Sequence, residues 1–155
     1  MTKKVIDMAG NIPIFFEPGR SLIGQAGSLV TEVLGIKING KNKFLIVDAG
    51  MNDLIRPALY QANHKIDSIS ASGETSEKFY VVGPVCETAD SFGEFSISAK
   101  EHDHLIIYSV GAYGYSMASN YNSRLRAAEY LVDGSNVTEI RKAESYEDLI
   151  KLEQY

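Results

Sequence analysis

Apolar residues in this chain fall mostly in short runs or alternate with polar ones, the spacing of strands rather than of long helices. From the N-terminus, residues 3–8 read as the tail of a helix ended by Gly10 and Asn11. Ile12–Phe16 reads as a short buried strand. The small residues of 21–27 suit a short helix against a close neighbour. Residues 29–38 and 43–47 are rich in β-branched and apolar residues and flank Asn39-Gly40-Lys41-Asn42, so 29–47 is expected to be one hairpin. The next expected element is a helical turn over 54–60, with Asn52 or Asp53 as its cap and Pro57 near its start. Further strands are expected at 66–70, 78–83 and 105–110. Between them lie a polar loop at 71–77 and a mixed loop and strand over 90–98. A second hairpin, 128–132 with 137–141, turns at Asp133-Gly134, and 146–152 closes the chain as a helical turn. Seven or eight short strands with little helix predict a mainly β fold, a Greek-key-like barrel or sandwich, with no internal repeat.

Composition narrows the classes. The 155 residues fit one domain with a real core, 45% hydrophobic and 23% charged. The net charge of −5 argues against a non-specific nucleic-acid surface and gives no attraction to anionic membranes. No apolar run reaches the roughly 18 residues of a membrane-spanning helix, and the two N-terminal lysines precede no long apolar core of a signal peptide. A single cysteine excludes an internal disulfide and, with three scattered histidines, makes a zinc site implausible. A free thiol suits a reducing compartment, so the expected location is the cytoplasm.

Candidate chemistry gathers in four stretches. Val82-Gly-Pro-Val-Cys-Glu-Thr-Ala-Asp90 places Cys86 beside Glu87 at a turn that Gly83 and Pro84 impose. A lone cysteine is more often a small buried hydrophobe than a catalyst. Glu17-Pro-Gly-Arg20 follows an apolar run: Gly19 allows close backbone approach to a phosphate and Arg20 can grip an anion, though an ordinary turn with a surface ion pair fits as well. Arg56 and Tyr60, four apart, share a helical face as an anion clamp or as plain surface packing. Gly111–Asn122 mixes Gly, Tyr, Ser and Asn, which suits stacking on a planar ring or simply covering the core. Glu101-His-Asp-His104 invites a metal reading but lacks an identifiable fourth ligand, and a solvated turn is the expectation.

Taken in order, the Glu17–Arg20, Val47–Tyr60, Val82–Asp90 and Gly111–Arg124 stretches resemble the C-terminal part of the diaminopimelate decarboxylases, enzymes of the alanine-racemase-like fold group. The resemblance runs from about residue 12 to 150. It implies fold-type III decarboxylation of meso-2,6-diaminopimelate to L-lysine and carbon dioxide with pyridoxal 5'-phosphate, in a homodimer whose subunits share each site. By resemblance, Glu17, Gly19, Arg20 and Tyr113 lie at the cofactor. Arg20, Arg56, Tyr60, Glu87 and Tyr113 bind the substrate, and Cys86 is the proton donor. A ligand zwitterionic at both ends needs arginines for its carboxylates and a carboxylate for its ammonium, and this set provides both.

The resemblance also implies that an N-terminal β/α barrel carries the lysine that holds the cofactor. None of the ten lysines here stands in that setting. Residues 1–26 are therefore expected to be the last strand and helix of that barrel and 27–155 the β-barrel domain, a fragment inactive alone and left with an unpaired sheet edge. Two other readings stay open: a non-catalytic β-barrel that binds or regulates a decarboxylase, and a decarboxylase of another basic amino acid.

Overall fold

The computed structural model describes residues 2–69 and 75–154. Most of the loop expected at 71–77, and Ser70 at the end of the strand expected before it, lie outside them. Among the described residues there are eight strands: β1 (Ser28–Asn39), β2 (Asn42–Val47), β3 (Ile66–Ser68), β4 (Glu77–Val82), β5 (Ser91–Ile97), β6 (His104–Tyr108), β7 (Glu129–Asp133) and β8 (Asn136–Arg141). The helices are α1 (Thr2–Ala9), α2 (Arg56–Tyr60) and α3 (Tyr146–Ile150), with a 3-10 turn at Gly24–Ala26. Ser145 opens α3 with a reciprocal cap: its Oγ accepts from Asp148 N and its own N–H donates to the Asp148 carboxylate.

Strands β1–β6 form one sheet in the order β3-β6-β1-β2-β4-β5, with the two end strands approaching each other to give a nearly closed barrel. All neighbours are antiparallel except β2 and β4. The long strand β1 makes the curl. Its first part, Ser28–Glu32, pairs with β6 and its second, from Val33 onward, with β2. At the changeover Leu34 is an extra residue without a cross-strand partner, a bulge that bends the strand. Alternation then drives one face of every strand inward: Val33, Leu45, Val47, Val81, Leu105 and Ile107 are completely buried. Hairpin β7–β8 forms a separate two-stranded sheet with Leu131, Val132, Val137 and Ile140 exposed.

Two local expectations are corrected. Ile12–Phe16 is not a strand: it joins no ladder among the described residues and is largely exposed, Phe15 at 88%. An apolar run becomes a strand only where a ladder partner satisfies its backbone, and none of the described strands reaches this one. Nor do Asn52 and Asp53 cap α2, which begins after Ile55 without a side-chain cap. The Asp53 carboxylate instead accepts from Gly50 N at 2.9 Å, closing a tight turn one step earlier.

Leu45 sits on the inner face with no exposed surface. Leu45→Ala is expected to lower unfolding free energy by about 2–5 kcal/mol, read from the urea midpoint at unchanged m-value.

Candidate functional site

Strand direction decides where the four candidate stretches go. Strand β1 runs against both β2 and β6, and β2 runs with β4, so β2, β4 and β6 all end at the same rim of the barrel, where β1 begins. The segments at that rim are 17–27, which enters β1, and 48–60, 83–90 and 109–126, which leave β2, β4 and β6. Topology alone therefore gathers residues that are scattered along the chain.

Close backbone approach seats the entering segment. Gly27 and Gly111 lie against each other, and a Cβ on Gly27 would stand 2.4 Å from the Gly111 Cα. Val110 N donates to Gly27 O and Gly111 N to Gly24 O, both at 3.0 Å. Arg20 lies over Gly24, whose missing side chain makes room for it, and a Cβ on Gly19 would stand 3.4 Å from the Tyr113 hydroxyl. Tyr113 adopts the left-handed backbone region, φ 63°, which side chains other than glycine seldom occupy. Its ring faces the Arg56 guanidinium at 5.8 Å, and Tyr60 faces the same guanidinium at 5.4 Å. Arg56 Nε is buried without a hydrogen-bond partner among the described residues, an orphaned donor between two aromatic rings. A buried guanidinium N–H left unpaired is costly, which suits a site completed by an anionic ligand.

The second half of the rim is the cysteine loop. Asp90 is buried, and its two carboxylate oxygens accept from two different loops: Met51 N donates to Oδ1 and Val85 N to Oδ2, each at 2.6 Å. Gly83 must be glycine here, since a Cβ would stand 2.4 Å from that carboxylate. Burial pushes the Asp90 carboxyl above its ordinary range, opposed by the Met51 and Val85 N–H groups and by the Arg124 charge. A bulge between β4 and β5 adjoins the loop at Phe92, with Gly93 at φ 112°. Cys86 and Glu87 stand exposed on this frame. The Tyr121 hydroxyl donates to Glu87 Oε1 at 2.5 Å.

Arg124 links the loops. Its Nε donates to Asn52 Oδ1 at 2.9 Å and its Nη2 to Asp48 O, while Ser119 N donates to Asn52 O. Glu144 anchors the third loop from behind, accepting from Asn120 Nδ2, Arg126 N and Arg126 Nη1. The Arg126 N–H, then the Asn120 amide and the Arg126 guanidinium, hold the Glu144 carboxyl below its ordinary range.

Of the expected residues, the structure brings Gly19, Arg20, Arg56, Tyr60 and Tyr113 together, and it sets Cys86 and Glu87 on a neighbouring loop. No hydrogen bond or ring contact joins the two groups among the described residues. Glu17 is exposed beside Pro18 and Gly19. His102 and Asp103 serve the fold: His102 Nδ1 meets Glu32 Oε1 at 2.8 Å and the Asp103 carboxylate accepts from Lys100 N. Sequence reasoning gave no role to Asp90, Tyr121 or Arg124, although all three stand inside the quoted stretches. Apart from Val85, five positions before Asp90, the partners of their side chains are 34 to 76 positions away, beyond any local pattern.

The barrel rim carries an arginine between two tyrosines, a glycine-lined approach and an exposed cysteine–glutamate pair, groups whose charges suit an anion and an ammonium. The comparisons name the family. The chain belongs to the pyridoxal-dependent decarboxylases, whose C-terminal sheet domain matches residues 5–111. Among similar proteins, the diaminopimelate decarboxylase of Neisseria meningitidis serogroup B is 50% identical over 137 residues, 88% of this chain and 33% of its own. That of Zymomonas mobilis is 48% identical over 97% of this chain and 36% of its own. The crystal structure of the Helicobacter pylori diaminopimelate decarboxylase complexed with L-lysine superposes with a TM-score of 0.86 at 41% identity, over 97% of this chain and 38% of that one. The chain thus spans about a third of the length of these relatives.

Asp90→Asn is expected to destabilise the protein by about 1–3 kcal/mol, because the amide can accept from only one of the two N–H groups it faces. A denaturant titration checks this. At Glu144 the folded pKa lies below the unfolded one, so its stabilisation is full above the ordinary glutamate pKa and is lost as pH falls through the folded value. Glu144→Gln should therefore lower the thermal midpoint at pH 7 and flatten its decline between about pH 5 and 3.

Proposed function

We propose that this chain is the C-terminal domain of a diaminopimelate decarboxylase, converting meso-2,6-diaminopimelate to L-lysine and carbon dioxide. The observation that carries the proposal is the rim itself, with Arg56, its Nε unpaired, held between Tyr60 and Tyr113. Identities of 48–50% to enzymes of that name support it. In this reading Arg56 and Tyr60 grip the carboxylate at the distal end of the substrate and Glu87 pairs with the distal ammonium. Arg20 takes a second carboxylate. Cys86, exposed at a turn that Asp90 braces, delivers the proton that replaces carbon dioxide.

The cofactor implied is pyridoxal 5'-phosphate, and the residues present fit part of it. The bare Gly19, 3.4 Å from the Tyr113 hydroxyl at an ideal Cβ, offers a backbone edge beside an aromatic ring. Glu17, Gly19, Arg20 and Tyr113 would hold it from this side, and when bound it supplies the electron sink for decarboxylation. The rest of its binding is assigned to a preceding β/α barrel, to which residues 1–26 would contribute the last turn. The exposed apolar residues of that segment, among them Ile12, Phe15 and Phe16, support such a contact.

The working enzyme is a cytoplasmic homodimer in which Cys86 and Glu87 act in the partner's site. The exposed thiol supports the reducing compartment, and the apolar residues exposed on β7–β8 support an interface.

The chain by itself is expected to release no carbon dioxide from diaminopimelate. In the protein carrying it together with the barrel, Arg56→Ala is expected to cost at least about a hundredfold in kcat/KM, since a charged partner is lost. Cys86→Ala should lower kcat with little change in KM. Unchanged turnover of diaminopimelate in Arg56→Ala would overturn the substrate assignment. Faster turnover of another basic amino acid would assign the reaction to that substrate instead.

A further inference from the structure

Glu87 is an exposed charged group of the candidate site, and a free glutamate samples many rotamers. Here one oxygen is tethered. The Tyr121 hydroxyl donates to Glu87 Oε1 at 2.5 Å, across 34 positions of sequence. Oε2 has no hydrogen-bond partner among the described residues. The tether has rigid mounts at both ends. On the Glu87 side, Asp90 Oδ2 accepts from Val85 N, two residues before it. On the Tyr121 side, the turn holds two consecutive left-handed residues, Asn122 at φ 57° and Ser123 at φ 55°. Strained backbone of this kind persists only where its surroundings over-determine it. They do: Asn120 Nδ2 donates to Arg124 O and to Glu144, and Arg124 donates to Asn52 and Asp48.

We infer that Tyr121 is a positioning residue for substrate specificity, holding Glu87 by Oε1 so that Oε2 faces the distal ammonium of the substrate. The inference rests on the decarboxylase reading above. Its chemistry is that of preorganisation: an ammonium met by a carboxylate already fixed in place loses less affinity to ordering. In this reading the tyrosine acts through Glu87, so its loss acts on binding rather than on proton delivery.

The test is a double-mutant cycle in the complete decarboxylase, with wild type, Tyr121→Phe, Glu87→Gln and the double variant assayed on diaminopimelate. Tyr121→Phe removes one hydroxyl from a partly exposed ring, so folding is preserved, which an unchanged thermal midpoint checks. The expected result is a KM raised about three- to tenfold with kcat within about twofold of wild type, the scale of one charge-assisted hydrogen bond at an exposed site. In the Glu87→Gln background the same substitution should change KM by less than about twofold, because the carboxylate it positions is gone. Equal effects in both backgrounds, or no effect in either, would overturn the inference and leave the decarboxylase reading intact. A wild-type enzyme without activity on diaminopimelate would overturn both.

Discussion

The loops that follow β2 and β4 are held to each other by one buried carboxylate. Asp90 spends each of its oxygens on a backbone N–H from a different loop, Met51 from the segment after β2 and Val85 from the segment after β4. A carboxylate below the surface is costly unless both oxygens are satisfied, so the two loops must keep their positions for the charge to be tolerated. Gly83 is the steric counterpart, since any side chain there would occupy the carboxylate's place. Arg124 extends the constraint to a third loop through Asn52 and Asp48. The arrangement converts three separate excursions from the sheet into one unit.

The barrel supplies what that unit stands on. Strand β1 changes partners at Leu34, and the bend turns a six-stranded sheet into a nearly closed barrel. Because β2, β4 and β6 share one direction, the three loops that follow them leave at one rim, while the segment entering β1 brings Gly19 and Arg20 to the same place. Rigid strands with mobile chemistry at their ends are a common division of labour in enzymes. Here the loops themselves are stiffened, with left-handed backbone at Gln61, Ser109, Tyr113, Asn122 and Ser123 held by hydrogen bonds and packing.

Besides Val30, Leu34, Ile36 and Ile38 on β1, exposed apolar residues gather in two places. Leu131, Val132, Val137 and Ile140 lie on the terminal hairpin, and Ile12, Phe15, Phe16 and Leu22 lie before the barrel. Both are outside the closed sheet and away from its core. Neither patch belongs to the buried core cluster, and the contacts proposed above with a barrel and a partner subunit would cover them.

How far the sequence reached depended on the range of each interaction. Local chemistry was legible: Asn39-Gly40 and Asp133-Gly134 turned two hairpins, β-branched runs marked the strands, and the spacing of Arg56 and Tyr60 put them on one face. The four stretches that resemble decarboxylases were also legible, because motif order survives without coordinates. Apolar content misled at Ile12–Phe16, where hydrophobicity was present but no ladder partner was. Capping was misplaced at Asn52 and Asp53, whose side chains were claimed by Arg124 and Gly50. The sequence by itself determined the β character, the hairpins and which residue types carry the chemistry, since these rest on contacts within a few positions. Only the tertiary structure decided that Asp90 braces two loops, that Arg124 joins a third and that Tyr121 reaches Glu87. Each rests on one or two hydrogen bonds between distant segments, and strand direction, which no local pattern encodes, is what brings those segments within range.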